Sequence, residues 1–311
     1  MDAEEVFRPV APQHAKPSVE HVEALLAAAN RALDEGEVDR ATTTYCKAQR
    51  RALELGAQVL ADRAYCGLAY IEIERGQTET AIPALRRLLQ SSAAPIVGYL
   101  ASYHLARAFD QRRDFRKSSF YAHLAVDYAT HSGRDDLRAA AYNQLGNCLL
   151  ARSQIADALP VFQQAAALAR DAPAHWRVAI ADGVGYCLFM TGHRRAALRL
   201  LYANLRLATK MRSRFACELR RTLCHALLEL GRPRLALRHG EIALREARAL
   251  GNVDAERVAL LLLAQATAEA GRAAQSTALF AELQARHFPK TPGIAEFFTH
   301  LAPARCMNLK G

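Results

Sequence analysis

Small and apolar residues recur along this chain in a fixed register. Breaks in the helical periodicity fall at Gly36, Gly76, Arg113, Ser153, Gly192, Gly231 and Gly271, in steps of 40, 37, 40, 39, 39 and 40 residues. Five residues past each break stands Ala41, Ala81, Ser118, Ala158, Ala197, Ala236 or Ser276. Seven residues before each break stands Ala29, Ala69, Ala106, Gly146, Gly185, Cys224 or Ala264. The position just before that is Ala28, Leu68, Leu105, Leu145, Val184, Leu223 or Leu263. Small side chains let two helices approach closely, and the apolar neighbour fills the space beside them. A glycine inside a helix costs about 1 kcal/mol against alanine, so close packing is the reason to place Gly146 and Gly185 there.

The pattern predicts seven two-helix units, over residues 18–56, 57–95, 96–133, 134–172, 173–212, 213–251 and 252–290. Glycine after a helix and proline just beyond it supply the stop signals. Pro233 suits the first turn of a second helix. Pro83 and Pro160, two residues past the small column, predict second helices that start late or kink. Residues 1–17 carry three prolines and no helical period, and read as a flexible leader. Residues 291–311 hold one short apolar stretch, read as a cap and tail over the last unit. The fold class is all-α, with no strands.

The segment Tyr142–Ala158, YNQLGNCLLARSQIADA, is the clearest copy of the unit. Its aromatic, its Leu145-Gly146 pair and the Ala158 of the partner helix resemble the tetratricopeptide repeat (TPR) pattern. The spacing exceeds the usual TPR length of about 34 residues, which implies longer helices. The resemblance implies a right-handed superhelical α-solenoid of about seven TPR-like hairpins plus a C-terminal capping helix. The first helix of each hairpin would line a concave inner surface. Such a chain of 311 residues is one elongated array in which each unit packs on its neighbours.

In that setting the column six residues before each break becomes informative. It reads Asn30, Tyr70, Arg107, Asn147, Tyr186, His225 and Gln265, all able to hydrogen-bond. One turn earlier stand Leu26, Cys66, Tyr103, Asn143, Asp182, Arg221 and Leu261, polar in the middle and apolar at the ends. Residues four apart share a helix face. The pairs Tyr103 with Arg107, Asn143 with Asn147, Asp182 with Tyr186, and Arg221 with His225 are therefore the candidate peptide-binding or partner-binding residues. Asp110, Arg214 and Glu218 extend that surface. A side-chain amide both donates and accepts, so paired asparagines can grip an extended peptide backbone, and Tyr and Arg are frequent interface anchors. Leu145-Gly146-Asn147 also resembles the asparagine-bearing motif of peptide-sensing TPR regulators. The competing account of the polar column is a solvated face with no ligand.

Charge adds a second surface. The net charge is +10, and residues 192–238 alone hold 12 Lys and Arg against 2 Asp and Glu. Arg195, Arg199, Arg206 and Lys210 fall within about 60° of arc at the helical angle, forming a basic stripe on a second helix. The stripe suits an acidic protein segment; nucleic acid is the less favoured partner, since only Tyr202 interleaves it. A solubilising face is the bland account of the same residues. The seven cysteines form no CxxC pair and suit buried free thiols in a reducing compartment, so a cytoplasmic location is expected. No apolar run reaches the length of a membrane span. No phosphate-binding loop, GxSxG, HExxH or calcium-loop motif occurs. The expectation is a non-enzymatic protein-interaction scaffold with no cofactor and no metal. The alternatives are a regulatory sensor module of a transcription or signalling complex, or non-specific nucleic-acid binding through the basic block.

Overall fold

The structure, a computed structural model, describes residues 18–172 and 174–300. The proposed leader and the end of the proposed tail lie outside the described residues. Fourteen helices pair in chain order. They are α1 (Val19–Asp34) with α2 (Val38–Glu54), α3 (Gln58–Glu74) with α4 (Thr78–Ser91), α5 (Pro95–Gln111) with α6 (Phe115–His131), and α7 (Asp135–Ala151) with α8 (Ile155–Leu168). There follow α9 (Ala174–Met190) with α10 (Arg194–Lys210), α11 (Ala216–Glu229) with α12 (Pro233–Leu250), and α13 (Val253–Glu269) with α14 (Ala273–His287). A short α15 (Ile294–Thr299) lies against α14, with the Phe298 ring 5.8 Å from that of Phe288.

Each turn within a hairpin contains one residue in the left-handed region. Five of these are glycines and two are Arg113 and Ser153, both at φ 60°. A side chain there meets the following carbonyl and costs about 1–2 kcal/mol. Gly36 does a second job as well: a Cβ at that position would lie 2.9 Å from Leu250, on the far side of the superhelix.

Small residues lie where large side chains cross the helix interface. A Cβ on Gly146 would sit 2.7 Å from the Phe162 ring, and one on Gly185 2.5 Å from Leu201. Phe162, fully buried, wedges between Gly146 of α7 and Gly183 of α9. Pro233 opens α12 as its sequence position suggests. Pro83 and Pro160 sit inside α4 and α8, and both helices begin several residues before the proline, so neither starts late. Both helices have 14 residues, against 17 in their partners α3 and α7. Cys66, Cys148, Cys217 and Cys224 are buried, and burial pushes each thiol up to about 12, which keeps it protonated and inert.

Candidate functional site

The superhelix turns far enough for its beginning to meet its end. The backbone N–H of Arg214 donates to the Asp34 carbonyl at 2.9 Å. The Arg214 side chain donates to the Tyr70 hydroxyl, stacks 5.0 Å over the Tyr70 ring and faces the Asp34 carboxylate at 3.8 Å. Burial works against that guanidinium, but Tyr70, Asp34 and Glu74 outweigh it and hold its pKa above the ordinary value. A second bridge runs through Glu74, whose carboxylate accepts from Arg107 and from the Asn252 amide. Asn252 also caps α13, accepting from Ala255 N–H at 2.8 Å. One side chain thus joins a helix start to the opposite wall.

This seam encloses the concave face, and the eight candidate residues fall into distinct places behind it. Asp182, Tyr186, Arg221 and His225 are buried together on α9 and α11. The Tyr186 and His225 rings lie 6.0 Å apart. Burial lowers the His225 pKa to about 4, so it is neutral at physiological pH. Burial also opposes the charge on Arg221, but Glu218, Cys217, Asp254 and Asp182 keep its pKa above normal. Asn143 is buried on α7, with Asn147 half-buried one turn on. Arg107 belongs to the seam. Tyr103 faces an open cavity.

That cavity, of about 480 Å³, lies between the inner faces of the first hairpins and the starts of α7 and α9. Its walls are aromatic: Tyr45, Tyr70, Tyr99, Tyr103 and Trp176. Tyr99 and Tyr103 are 5.9 Å apart between centroids, and Tyr103 meets the His104 ring edge-on at 5.4 Å. Tyr45 is held by a hydrogen bond to the Asn30 side chain. His104 is buried, and burial together with Arg107 and Arg214 lowers its pKa to about 3; its Nδ1 has no hydrogen-bond partner among the described residues. The volume and the aromatic walls are those of a small-ligand or side-chain pocket.

Deeper along the axis the inner surface is ionic. Asp110 of α5 and Asp254 of α13 face one another's field across it. Burial and Asp254 push Asp110 up to about 7, against the pull of Arg107, Arg113 and Arg257. For Asp254 burial also raises the pKa, yet Arg257, Arg221, Arg107 and Arg113 prevail and lower it. Among the described residues no group of three His, Cys, Asp or Glu side chains could hold a metal ion. No described helix is long and apolar enough to cross a membrane.

The basic stripe is on α10, facing outward. Arg195, Arg199, Arg206 and Lys210 are all exposed, and none forms an ion pair among the described residues. Arg234, Arg238 and Arg245 are exposed on the adjacent α12, with Glu241 among them.

The sequence pattern does not reveal Tyr45, Tyr99, His104, Trp176, Glu74 or Asn252. Tyr99 had a usable signal, since it lies four residues before Tyr103 on one helix face. Asp34 with Arg214 and Glu74 with Asn252 had none. Their partners are 180 and 178 residues apart, and the superhelical winding, rather than the repeat register, brings them together.

No known family model and no curated protein sequence matches this chain. Solved structures do. A Rap protein complexed with Competence and Sporulation Factor superposes with a TM-score of 0.58 at 16% identity, over 94% of this chain and 98% of that one. The apo form of the quorum sensor NprR from B. thuringiensis gives 0.56 at 12% identity, over 90% and 80%. The apo form of RapI gives 0.51 at 13%, over 89% and 80%. At such identities the likeness is one of fold: the chain is an all-helical, TPR-like α-solenoid.

Proposed function

We propose that this protein is a non-enzymatic interaction scaffold that holds a peptide segment of a partner protein on its concave face. The observation that carries the reading is the cavity walled by five aromatic side chains on the inner surface, beside a seam built mainly from polar contacts. Aromatic walls with a few fixed polar groups bind side chains at little entropic cost, because Tyr and Trp are rigid. The similar Rap structure is complexed with Competence and Sporulation Factor, which supports a bound partner on a fold of this kind. Asn143 and Asn147 lie farther along the same inner surface, where their amides would meet an extended backbone once the seam relaxes.

The seam favours a regulatory sensor as the second reading. A ligand that prefers one spacing between the first and the last hairpins would shift the population toward it. The exposed stripe Arg195, Arg199, Arg206 and Lys210 would then serve as a separate docking face for an acidic segment. Binding of nucleic acid there would weaken steeply between about 50 and 200 mM salt, whereas the groove would respond far less.

The test is capture from nuclease-treated native lysate, read by mass spectrometry. It compares the wild type with Tyr99→Ala/Tyr103→Ala and with Asn143→Ala/Asn147→Ala, each checked for unchanged helix content by circular dichroism. A protein held by the wild type and lost from both variants supports the reading and names the partner. Capture that is equal across all three, or that disappears with nuclease, ends it.

A further inference from the structure

The cavity is lined by more positive charge than it neutralises. Four arginines border it, Arg31, Arg63, Arg134 and Arg214, against two aspartates, Asp34 and Asp136. Arg134 is matched by Asp136 at 2.6 Å, and Arg214 by Asp34 at 3.8 Å. Among the described residues Arg63 meets only Glu23, at 3.7 Å, and the Glu23 side chain is 58% exposed. Arg31 has no side-chain ion pair or hydrogen bond among the described residues. The cation left uncompensated is Arg31, at the edge of an aromatic box. The buried, unpartnered Nδ1 of His104 offers one further polar contact inside that box.

We infer that the cavity binds a compact aromatic or branched-aliphatic group carrying a single carboxylate, with the apolar group against Tyr99, Tyr103 and Trp176 and the carboxylate on Arg31. The apolar part gains by leaving water for the tyrosine walls. The carboxylate gains the bidentate guanidinium of Arg31, which has no side-chain partner among the described residues. A cationic ligand would meet the excess positive charge, and a neutral one would leave Arg31 as it is. Two sources share this chemistry: a free aromatic acid, and the C-terminal residue of a peptide. The inference rests on the scaffold reading only for the second source, since it places the ligand on the same concave face.

Trp176 is the only tryptophan of the chain and lines the cavity, so its emission reports occupancy directly. The experiment titrates the full chain with N-acetyl-phenylalanine and with N-acetyl-phenylalaninamide, following Trp176 emission and saturation-transfer NMR of the phenyl protons. For a ligand of this size a dissociation constant of about 0.1–1 mM is expected for the acid. The amide should bind at least tenfold more weakly. Arg31→Gln, an exposed substitution that leaves the fold alone, should weaken the acid about tenfold and leave the amide unchanged. Equal affinity for acid and amide overturns the inference, as does the absence of saturable change by both readouts. Ala-Ala-Phe with a free C-terminus separates the sources: tighter binding than N-acetyl-phenylalanine points to a peptide terminus, and equal or weaker binding to a free acid. Failure of these probes alongside a successful capture experiment would remove the carboxylate site and leave the scaffold standing.

Discussion

The inner faces of α3 and α5 border a cavity, whereas those of α11 and α13 are filled. In α13 every residue from Val258 to Thr267 is buried, most of them Leu and Ala, so the helix is enclosed on all sides. In α5 the inner positions carry Tyr99, Tyr103 and His104, whose rings pack on one another along one wall of the cavity. Both helices obey the same repeat register and pack against their partners through the same small columns. The difference lies only in the positions that register leaves unconstrained. A repeat fixes the spacing of helices and leaves the inner face free to be core in one half and site in the other. Among the described residues, the polar seam through Glu74 and Arg214 ties the two halves across the axis, with Leu250 packed at Gly36 beside it.

The largest effect should come from cutting that tie. Glu74→Ala leaves Arg107 half-buried without its carboxylate and frees the Asn252 amide. Removing one partner of a buried pair costs about 3–5 kcal/mol. The thermal midpoint should fall and the radius of gyration from solution scattering should rise. Asn252→Asp sharpens the result, because it keeps a cap acceptor for Ala255 while setting a second carboxylate against Glu74. It should open the seam with α13 intact. A variant pair that keeps both radius and midpoint would mean the halves are held by something other than these contacts.

The two halves should differ in their tolerance of single atoms. Gly183→Ala drives a methyl group into the Phe162 ring, which is itself fixed by Gly146 on its other side. Overpacking of this kind costs about 1–3 kcal/mol. Tyr103→Phe in the cavity removes a hydroxyl with no intramolecular hydrogen bond among the described residues, and should shift stability by less than about 0.5 kcal/mol. Chemical denaturation of both variants checks the contrast. Equal costs would show that the cavity is as tightly packed as the filled half.

The hairpin architecture was legible because close helix crossings demand small residues at fixed intervals, and Gly146, Gly185 and the alanines around them record that demand directly. The breaks at Arg113 and Ser153 were legible from register alone, despite not being glycines; their left-handed backbone was not. Tyr103 and Asn143 stood out in one column and Arg107 and Asn147 in the next, and of these four Tyr103 lines the cavity. What could not be read is which of these side chains remain accessible. Asp182, Arg221 and His225 follow the same periodicity as Tyr103 yet are enclosed, because the superhelix winds until the sixth and seventh hairpins meet the first two. Local periodicity carries no information on that winding, which depends on small rotations accumulated over several hairpins. The α4 and α8 helices show a related limit. Pro83 and Pro160 removed one backbone donor each without delaying the helix start, since packing of the flanking residues outweighs the lost bond.

The pH response of the wild type should be shallow, because groups inside the molecule oppose one another. His104, beside the cavity, and His225, in the filled half, are lowered by burial from 6.5 to about 3 and about 4. Both remain neutral in the fold and would take up a proton on unfolding. The stability they contribute is complete above about pH 6.5 and is lost as the pH falls toward 4. Asp110 acts in the opposite sense. Raised from 3.8 to about 7 by burial and by Asp254, it contributes stability below its ordinary value that is lost as the pH rises toward 7. Each group contributes a slope of at most about 1.4 kcal/mol per pH unit within its window. Acidification from pH 6.5 to 4.5 should therefore destabilise the wild type less than the histidines alone would. Asp110→Asn removes the opposing contribution and should steepen the acid loss by about one proton's slope. His104→Gln should flatten it by a similar amount. Urea midpoints measured every half pH unit distinguish the three curves. Parallel curves for wild type and both variants would show that the interior titrates as though solvated, and that the seam does not exclude water from either half.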